Sequence, residues 1–337
     1  MRAVVYSEYG PSSVLRLVER ELPEPGIGQV RVRIVRAGVN PTDWKRRSGG
    51  TADAPIVEPV SPGQDGAGVV DAVGLGVDAL AVGDRVWLYL AQHEGPFGTA
   101  AEYTVVPAAR AVRLPASADF DLGASLGVPA VTAHRALTSG TVARLSPGSL
   151  TGQTVLVQGG AGAVGNAAIQ LATWAGASVI TTVSGAEKAA LAAAAGAHHV
   201  VNYREQDAAA VVRAIAPGGV DLIVEVAPAV NNELDQAVIR GGGTIAFYAN
   251  NGGDVLALAL RTTFSLNLRY QGVMLYGLAA EQLDAAAADV TAAVATGALR
   301  VGDEAGIALH HFALADTAAA HEAVEAGAVG KVLIDVA

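Results

Sequence analysis

The sequence predicts an α/β protein in two parts: a small, mostly antiparallel β domain and a doubly wound parallel sheet. Three observations carry this prediction. Residues 29–35 (QVRVRIV) alternate polar and apolar at period two. From Thr154 onward, short apolar runs alternate with alanine-rich helical stretches. A glycine-rich loop, 160–165, joins the first of those runs to its helix.

In chain order, residues 29–35, 66–73 and 84–90 read as strands, with Gly and Pro punctuating between them. The texture changes near residue 120, where 124–137 reads as a helix broken at Pro129. Then strands at 154–158, 178–183, 200–201, 221–226 and 244–249 alternate with helices at 163–175, 186–195, 208–214 and 233–239. Such alternation implies right-handed βαβ units. The alanine tracts read as helices packed closely on a sheet. After residue 260, 266–276 is strand-like, 281–296 is helical and 331–336 forms a last strand.

Composition narrows the function. The chain has 337 residues, enough for about two domains. It has no cysteine, which excludes disulfides, thiolate-bound zinc, iron–sulfur clusters and a cysteine nucleophile. Net charge is −10, a poor match to nucleic acid, and the only lysines are Lys45, Lys188 and Lys331. No apolar run reaches the ~20 residues of a membrane span, and no signal-peptide core fits the start. A cytoplasmic protein is expected.

Gly160, Gly162 and Gly165 form G-x-G-x-x-G directly after a strand and at the opening of a helix. The first glycine permits a tight turn. The second lets backbone N–H groups approach a pyrophosphate, and the third lets helix and strand pack closely. The alternative is a glycine turn without a ligand. An NAD site places an acid at the end of the second strand to accept the ribose hydroxyls. Ser184 stands there, and Lys188 follows one helical turn later, which favours the 2′-phosphate of NADPH. Ser184 and Glu187 also read as a capping box, and Glu187 could reach the ribose instead.

Together these residues resemble the zinc-independent quinone oxidoreductase (zeta-crystallin-like) branch of the medium-chain dehydrogenase/reductase superfamily. The resemblance rests on segments 37–43, 62–68, 129–133, 160–165, 168–172, 196–197, 202–204, 241–243 and 330–331, in family order. It implies a GroES-like catalytic domain from residues 1–124 and 263–337, and a Rossmann domain at 125–262. It implies NADPH contacts at Asn40, Thr132, Gly160, Ala161, Gly162, Ala163, Val164, Gly165, Ser184, Lys188, Tyr203, Val226, Tyr248 and Lys331. It also implies a homodimer formed through 266–276.

Metal chemistry is not expected. Zinc-dependent relatives carry Gly-His-Glu where this chain has Gly63-Gln64-Asp65. Adjacent pairs His198-His199 and His310-His311 are poor chelates and read as surface residues, and His321-Glu322 as a polar helix face. Lys45 stands where such reductases often carry a Tyr. It is a candidate substrate contact or proton donor beside Asn40, while Arg46 and Arg47 read as a solvated basic turn. His134 reads mainly as a packing residue. Residues 123–127 match G-x-S-x-G, but the preceding stretch reads as loop, so Ser125 is structural.

Without a Lewis acid, hydride transfer to a quinone or conjugated enone is favoured over alcohol oxidation, because the acceptor spreads its own negative charge. Two other readings stay open. One is an enoyl-thioester reductase, with Lys45, Arg46 and Arg47 attracting an acyl-carrier phosphate. The other is a cofactor-binding protein or redox-neutral biosynthetic enzyme.

Overall fold

The computed structural model describes residues 1–50 and 55–337, and the chain divides into two units. The first comprises Met1–Val128 and Ala308–Ala337, and the second Pro129–Ile307.

The first unit is β-rich. Strands β1 (Arg2–Val5) and β2 (Arg16–Glu19) form an antiparallel hairpin. The main sheet holds β3 (Gln29–Val39), β4 (Asp65–Val73), β5 (Arg85–Leu88), β6 (Tyr103–Pro107), β7 (Ala111–Arg113), β14 (Leu309–Ala313) and β15 (Lys331–Asp335). Its order is β14-β15-β3-β4-β5-β7, with β6 also paired to β3. All its pairs are antiparallel except β14 with β15. The alternation in β3 sends Val30, Val32 and Ile34 into the core, joined by Val4, Tyr6, Val86 and Ile334. Arg31 leaves the alternation and is buried too, because Asp71 (2.7 Å) and Glu24 (3.0 Å) pair with it.

Two short helices depart from the sequence reading. Residues 44–47 are not a solvated turn but part of α1 (Pro41–Arg47), which opens on an Asn40/Asp43 capping box with Pro41 at its first position. Arg47 is fully buried and pairs with Glu325 at 2.9 Å. Its partner lies on α9 (Thr317–Glu325), whose His321 is also buried rather than on a polar face. Burial, then the nearby Arg47 charge, push the His321 pKa down to about 3.

Helix α2 (Phe120–Leu137) is continuous through Pro129 and spans the boundary between the units. Proline has no N–H to place, and the preceding Val128 N–H is taken by Asp65 Oδ1 at 2.7 Å. The expected break therefore does not occur. Ser125 donates to the Asp121 carbonyl within this helix, as a structural serine does.

The second unit is a six-stranded parallel sheet of β8 (Thr154–Gln158), β9 (Ser178–Val183), β10 (His199–Asn202), β11 (Val220–Glu225), β12 (Ile239–Phe247) and β13 (Arg269–Gly272). Its order, β10-β9-β8-β11-β12-β13, reverses between β8 and β11, the doubly wound Rossmann pattern. Val155, Leu156, Val157, Ile223 and Val224 are wholly buried, as expected of strands covered on both faces. The helices are α3 (Ala163–Trp174), α4 (Ala186–Ala194), α5 (Ala208–Ile215), α6 (Pro228–Val238), α7 (Leu260–Ser265) and α8 (Ala280–Ala295).

The unit boundaries differ from 124/125 and 262/263, chiefly at the second. Strand β13 joins the parallel sheet, and Asn166 and Gln170 of α3 bond the carbonyls of Ala305 and Arg300 at 2.7 and 3.0 Å. Asp289 of α8 is held by His134 (2.8 Å), Arg144 and the Leu145 N–H (2.8 Å). Among the described residues, no helix is long and apolar enough to cross a membrane.

Candidate active site

Residues 160–165, Ser184, Tyr203, Val226 and Tyr248 follow the carboxyl ends of β8, β9, β10, β11 and β12, the end of an open α/β sheet where ligands bind. After β8 the chain turns at Gly159, whose φ is +73°. The tight turn thus belongs to Gly159, not to Gly160 as the motif assigns it. Gly160 is needed for packing: a Cβ there would lie 2.1 Å from Thr181 Oγ1. A Cβ on Gly165 would meet the Gly159 carbonyl at 2.4 Å. Gly162 is different: it is exposed, and its Cβ would find only the Gly159 oxygen, at 3.5 Å. It is the N-cap of α3, and no side chain caps the helix there. N–H groups of the first turn are left to an anion. Within the loop Ala161 is buried and Ala163 and Val164 are half-buried, and Val226 lies beside Gly159.

Ser184 directly follows β9. The helix after it, α4, is capped by Gly185, so the expected Ser184/Glu187 capping box does not form. Tyr203 follows β10 and donates its N–H to the Val183 carbonyl at 3.1 Å, which sets it next to the Ser184 strand end. Lys188 lies in the first turn of α4. Among the described residues, the side chains of Ser184, Lys188 and Tyr203 have no hydrogen-bonding or ionic partner. No acid occupies the end of β9. This donor set fits a phosphate better than ribose hydroxyls. Tyr248 follows β12, its N–H bonded to the Glu225 carbonyl at 3.1 Å, and Thr132 is buried in α2.

Asn40, Lys45 and Lys331 belong to the first unit. Asn40 is buried at the head of α1 and donates its Nδ2–H to Asp65 Oδ2 at 2.7 Å. Its Oδ1 accepts from Lys331 Nζ at 2.8 Å, and Lys331 also faces Asp65 at 3.3 Å. Lys331 is only 2% exposed and is buried against these two partners. Asp65 is the node, and sequence reasoning missed its role. Burial raises its pKa, opposed by Lys331, Asn40 and the Val128 N–H. Beside it Asp43 is pushed up to about 7, by burial first and by the Asp65 charge second. Lys45 is half-buried on α1, its Nζ 5.9 Å from the centre of the Trp44 ring.

Gln64 donates to Gln92 Oε1 at 3.2 Å, and Gln92 donates to the Gly95 carbonyl at 3.0 Å. These are amide contacts, and Asp65 is engaged as described. Among the described residues, no group of three or more His, Cys, Asp or Glu is placed to hold a metal ion.

A glycine turn feeding an uncapped helix at the switch point, with a β-rich unit built from both chain ends, defines a medium-chain dehydrogenase/reductase. Comparison with known proteins agrees. The zinc-binding dehydrogenase model matches residues 163–292, and the alcohol dehydrogenase GroES-like domain model matches 26–116. The quinone oxidoreductase of Lama guanicoe is 33% identical over 342 residues, covering 99% of this chain and 97% of that one. The structure of a mycobacterial quinone oxidoreductase superposes with a TM-score of 0.85 at 31% identity, covering 100% of both chains. That of the Escherichia coli quinone oxidoreductase complexed with NADPH gives 0.83 at 26% identity, again over 100% of both. The chain belongs to the quinone oxidoreductase family of this superfamily.

Proposed function

We propose that this protein transfers hydride from NADPH to a quinone or conjugated enone without a metal. The observation that carries the reading is the unpaired Ser184, Lys188 and Tyr203 set at the ends of β9 and β10, with no carboxylate at the strand end. The 160–165 loop would hold the pyrophosphate at the α3 N-terminus, with Val226, Tyr248 and Thr132 lining the remainder of the cofactor. When bound, NADPH supplies the hydride. Asn40, with one amide hydrogen committed to Asp65, would orient the acceptor, and Lys45 would donate a hydrogen bond or proton to it. Lys331 would hold Asn40 and a positive charge near the cofactor. Gln64 and Asp65 are spent on amide and ammonium partners, which supports metal-free chemistry. Strand β13 ends the sheet with one edge open among the described residues, which supports a homodimer, and a cytoplasmic site of action fits the composition. The enoyl-thioester reading loses support because Arg47 is buried.

The test is oxidation of NADPH and of NADH over a panel of quinones, enones and enoyl-CoA thioesters. Lys188→Ala is expected to raise the KM for NADPH about tenfold or more, the worth of a charge-assisted bond, and to leave that for NADH unchanged. Preference for NADH, or failure of every acceptor to oxidise NADPH, sinks the proposal.

A further inference from the structure

The Asn40 side-chain amide is held from both sides. Lys331 Nζ donates to Asn40 Oδ1 at 2.8 Å, and Asn40 Nδ2 donates to Asp65 Oδ2 at 2.7 Å. A lysine ammonium only donates, so the amide atom facing it is the oxygen, and the nitrogen is thereby turned to Asp65. The third side of this triangle, Lys331 Nζ to Asp65 Oδ2, is 3.3 Å. The backbone is fixed as well, because the Asn40 N–H donates to Asp43 Oδ2 at 2.7 Å. Asp65 is anchored in turn. Its Oδ1 accepts from the Val128 N–H at 2.7 Å, and its carbonyl accepts from the Thr99 hydroxyl at 2.6 Å. Glycines leave room for both charged groups. A Cβ on Gly127 would lie 2.1 Å from Asp65 Oδ1, and one on Gly38 would lie 3.0 Å from Lys331 Nζ. Asn40 Nδ2 carries two hydrogens, and one is committed to Asp65. Among the described residues the other has no acceptor.

We infer that Asp65 and Lys331 are positioning residues that set the polarity of the Asn40 amide, so that Asn40 meets the electron acceptor as a hydrogen-bond donor only. The inference rests on the quinone or enone reading above and deepens it: the acceptor brings an oxygen lone pair to Asn40 Nδ2. Hydride transfer places negative charge on that oxygen, and a donor already fixed in direction stabilises it without reorganising. The ammonium on Oδ1 also polarises the amide and strengthens its N–H as a donor. An amide free to flip would at times set Oδ1 against the acceptor oxygen, lone pair against lone pair.

The test is a double-mutant cycle on quinone reduction by NADPH, with the full chain. In Asp65→Asn the new carbonyl can keep the Val128 N–H, but the new amide turns an N–H onto Asn40 Nδ2 while Lys331 still claims Oδ1. That variant should lower kcat about a hundredfold and leave the KM for NADPH within about threefold. In an Asn40→Ala background the same substitution should cost less than about twofold, because Asp65 acts only through the amide it positions. If Asp65→Asn does not fold, Asp65→Ser enters the same cycle. A second measurement needs no turnover. In the wild type loaded with NADP+, which has no hydride to give, a bound quinone should move the Asn40 side-chain N–H signal downfield in nuclear magnetic resonance. That signal is identified by its absence in Asn40→Ala. Equal losses in the two backgrounds, or an Asn40 signal unmoved in the quinone complex, overturn the inference alone. Failure of every quinone and enone to oxidise NADPH in the wild type overturns the proposed function, and this inference with it.

Discussion

Asp43 and Asp65 share one buried ammonium, Lys331, and that imbalance sets a titration. With its pKa pushed up to about 7 against an ordinary 3.8, folded Asp43 keeps a proton that the unfolded chain releases. Stability from this group therefore falls as pH rises from 3.8 to 7, by at most ~1.4 kcal/mol per pH unit. His321 acts in the opposite sense. Its folded pKa of about 3 lies below an ordinary 6.5, so the unfolded chain holds the extra proton and stability rises with pH across that range. Other buried acids add their own slopes, so the comparison is between variant and wild type. In urea unfolding from pH 4 to 7, Asp43→Asn should gain stability relative to wild type as pH rises. His321→Gln should lose it over the same range. Profiles parallel to wild type would refute both assignments. Neither titration was visible in sequence. Asp43 lies in the 37–43 segment that carries the family resemblance, but its partner Asp65 meets Lys331 only through a contact spanning 266 positions.

Helix α3 and its loop show which glycines serve the fold and which the ligand. Gly165→Ala sets a Cβ 2.4 Å from a backbone oxygen, which cannot swing away as a side chain would. That variant should unfold at markedly lower urea concentration. Gly162→Ala meets nothing closer than 3.5 Å and costs only the ~1 kcal/mol of a poorer N-cap. Its Cβ projects from the exposed face proposed for the pyrophosphate, so NADPH affinity should drop while stability barely changes. Equal affinity in Gly162→Ala and wild type would remove the pyrophosphate from this loop. The motif was legible because its residues are contiguous and their spacing follows from turn and helix geometry. The same reason makes β8 and β9 coincide with their sequence-derived ranges. Elements such as β1, β6, β7 and β14 are only three to five residues long, so no local period announces them. Helix α2 escaped for a related cause: Pro129 reads as a break until Asp65 is seen taking the Val128 N–H.

At the scale of the whole chain, the second unit is one continuous stretch, Pro129–Ile307. Its contacts give a physical reason for ending there rather than near residue 262. Strand β13 closes the sheet, and Asp289 of α8 gathers His134, Arg144 and the Leu145 N–H. Removing α8 would take Asp289 from the buried His134 and uncover the surface against which Ala286, Val290 and Ala293 of that helix are buried. The remaining 125–262 piece would then expose an apolar face and leave His134 without Asp289. Expressed alone, residues 129–307 should therefore unfold cooperatively in circular dichroism and retain NADPH binding, because every residue proposed for the adenosine and pyrophosphate lies inside it. Residues 125–262 should lack a cooperative transition. Cooperative folding of the shorter piece would mean that β13 and α8 are attachments to the sheet rather than part of its core. Failure of 129–307 to bind NADPH while folded would shift the affinity onto Asn40, Lys45 and Lys331 of the other unit.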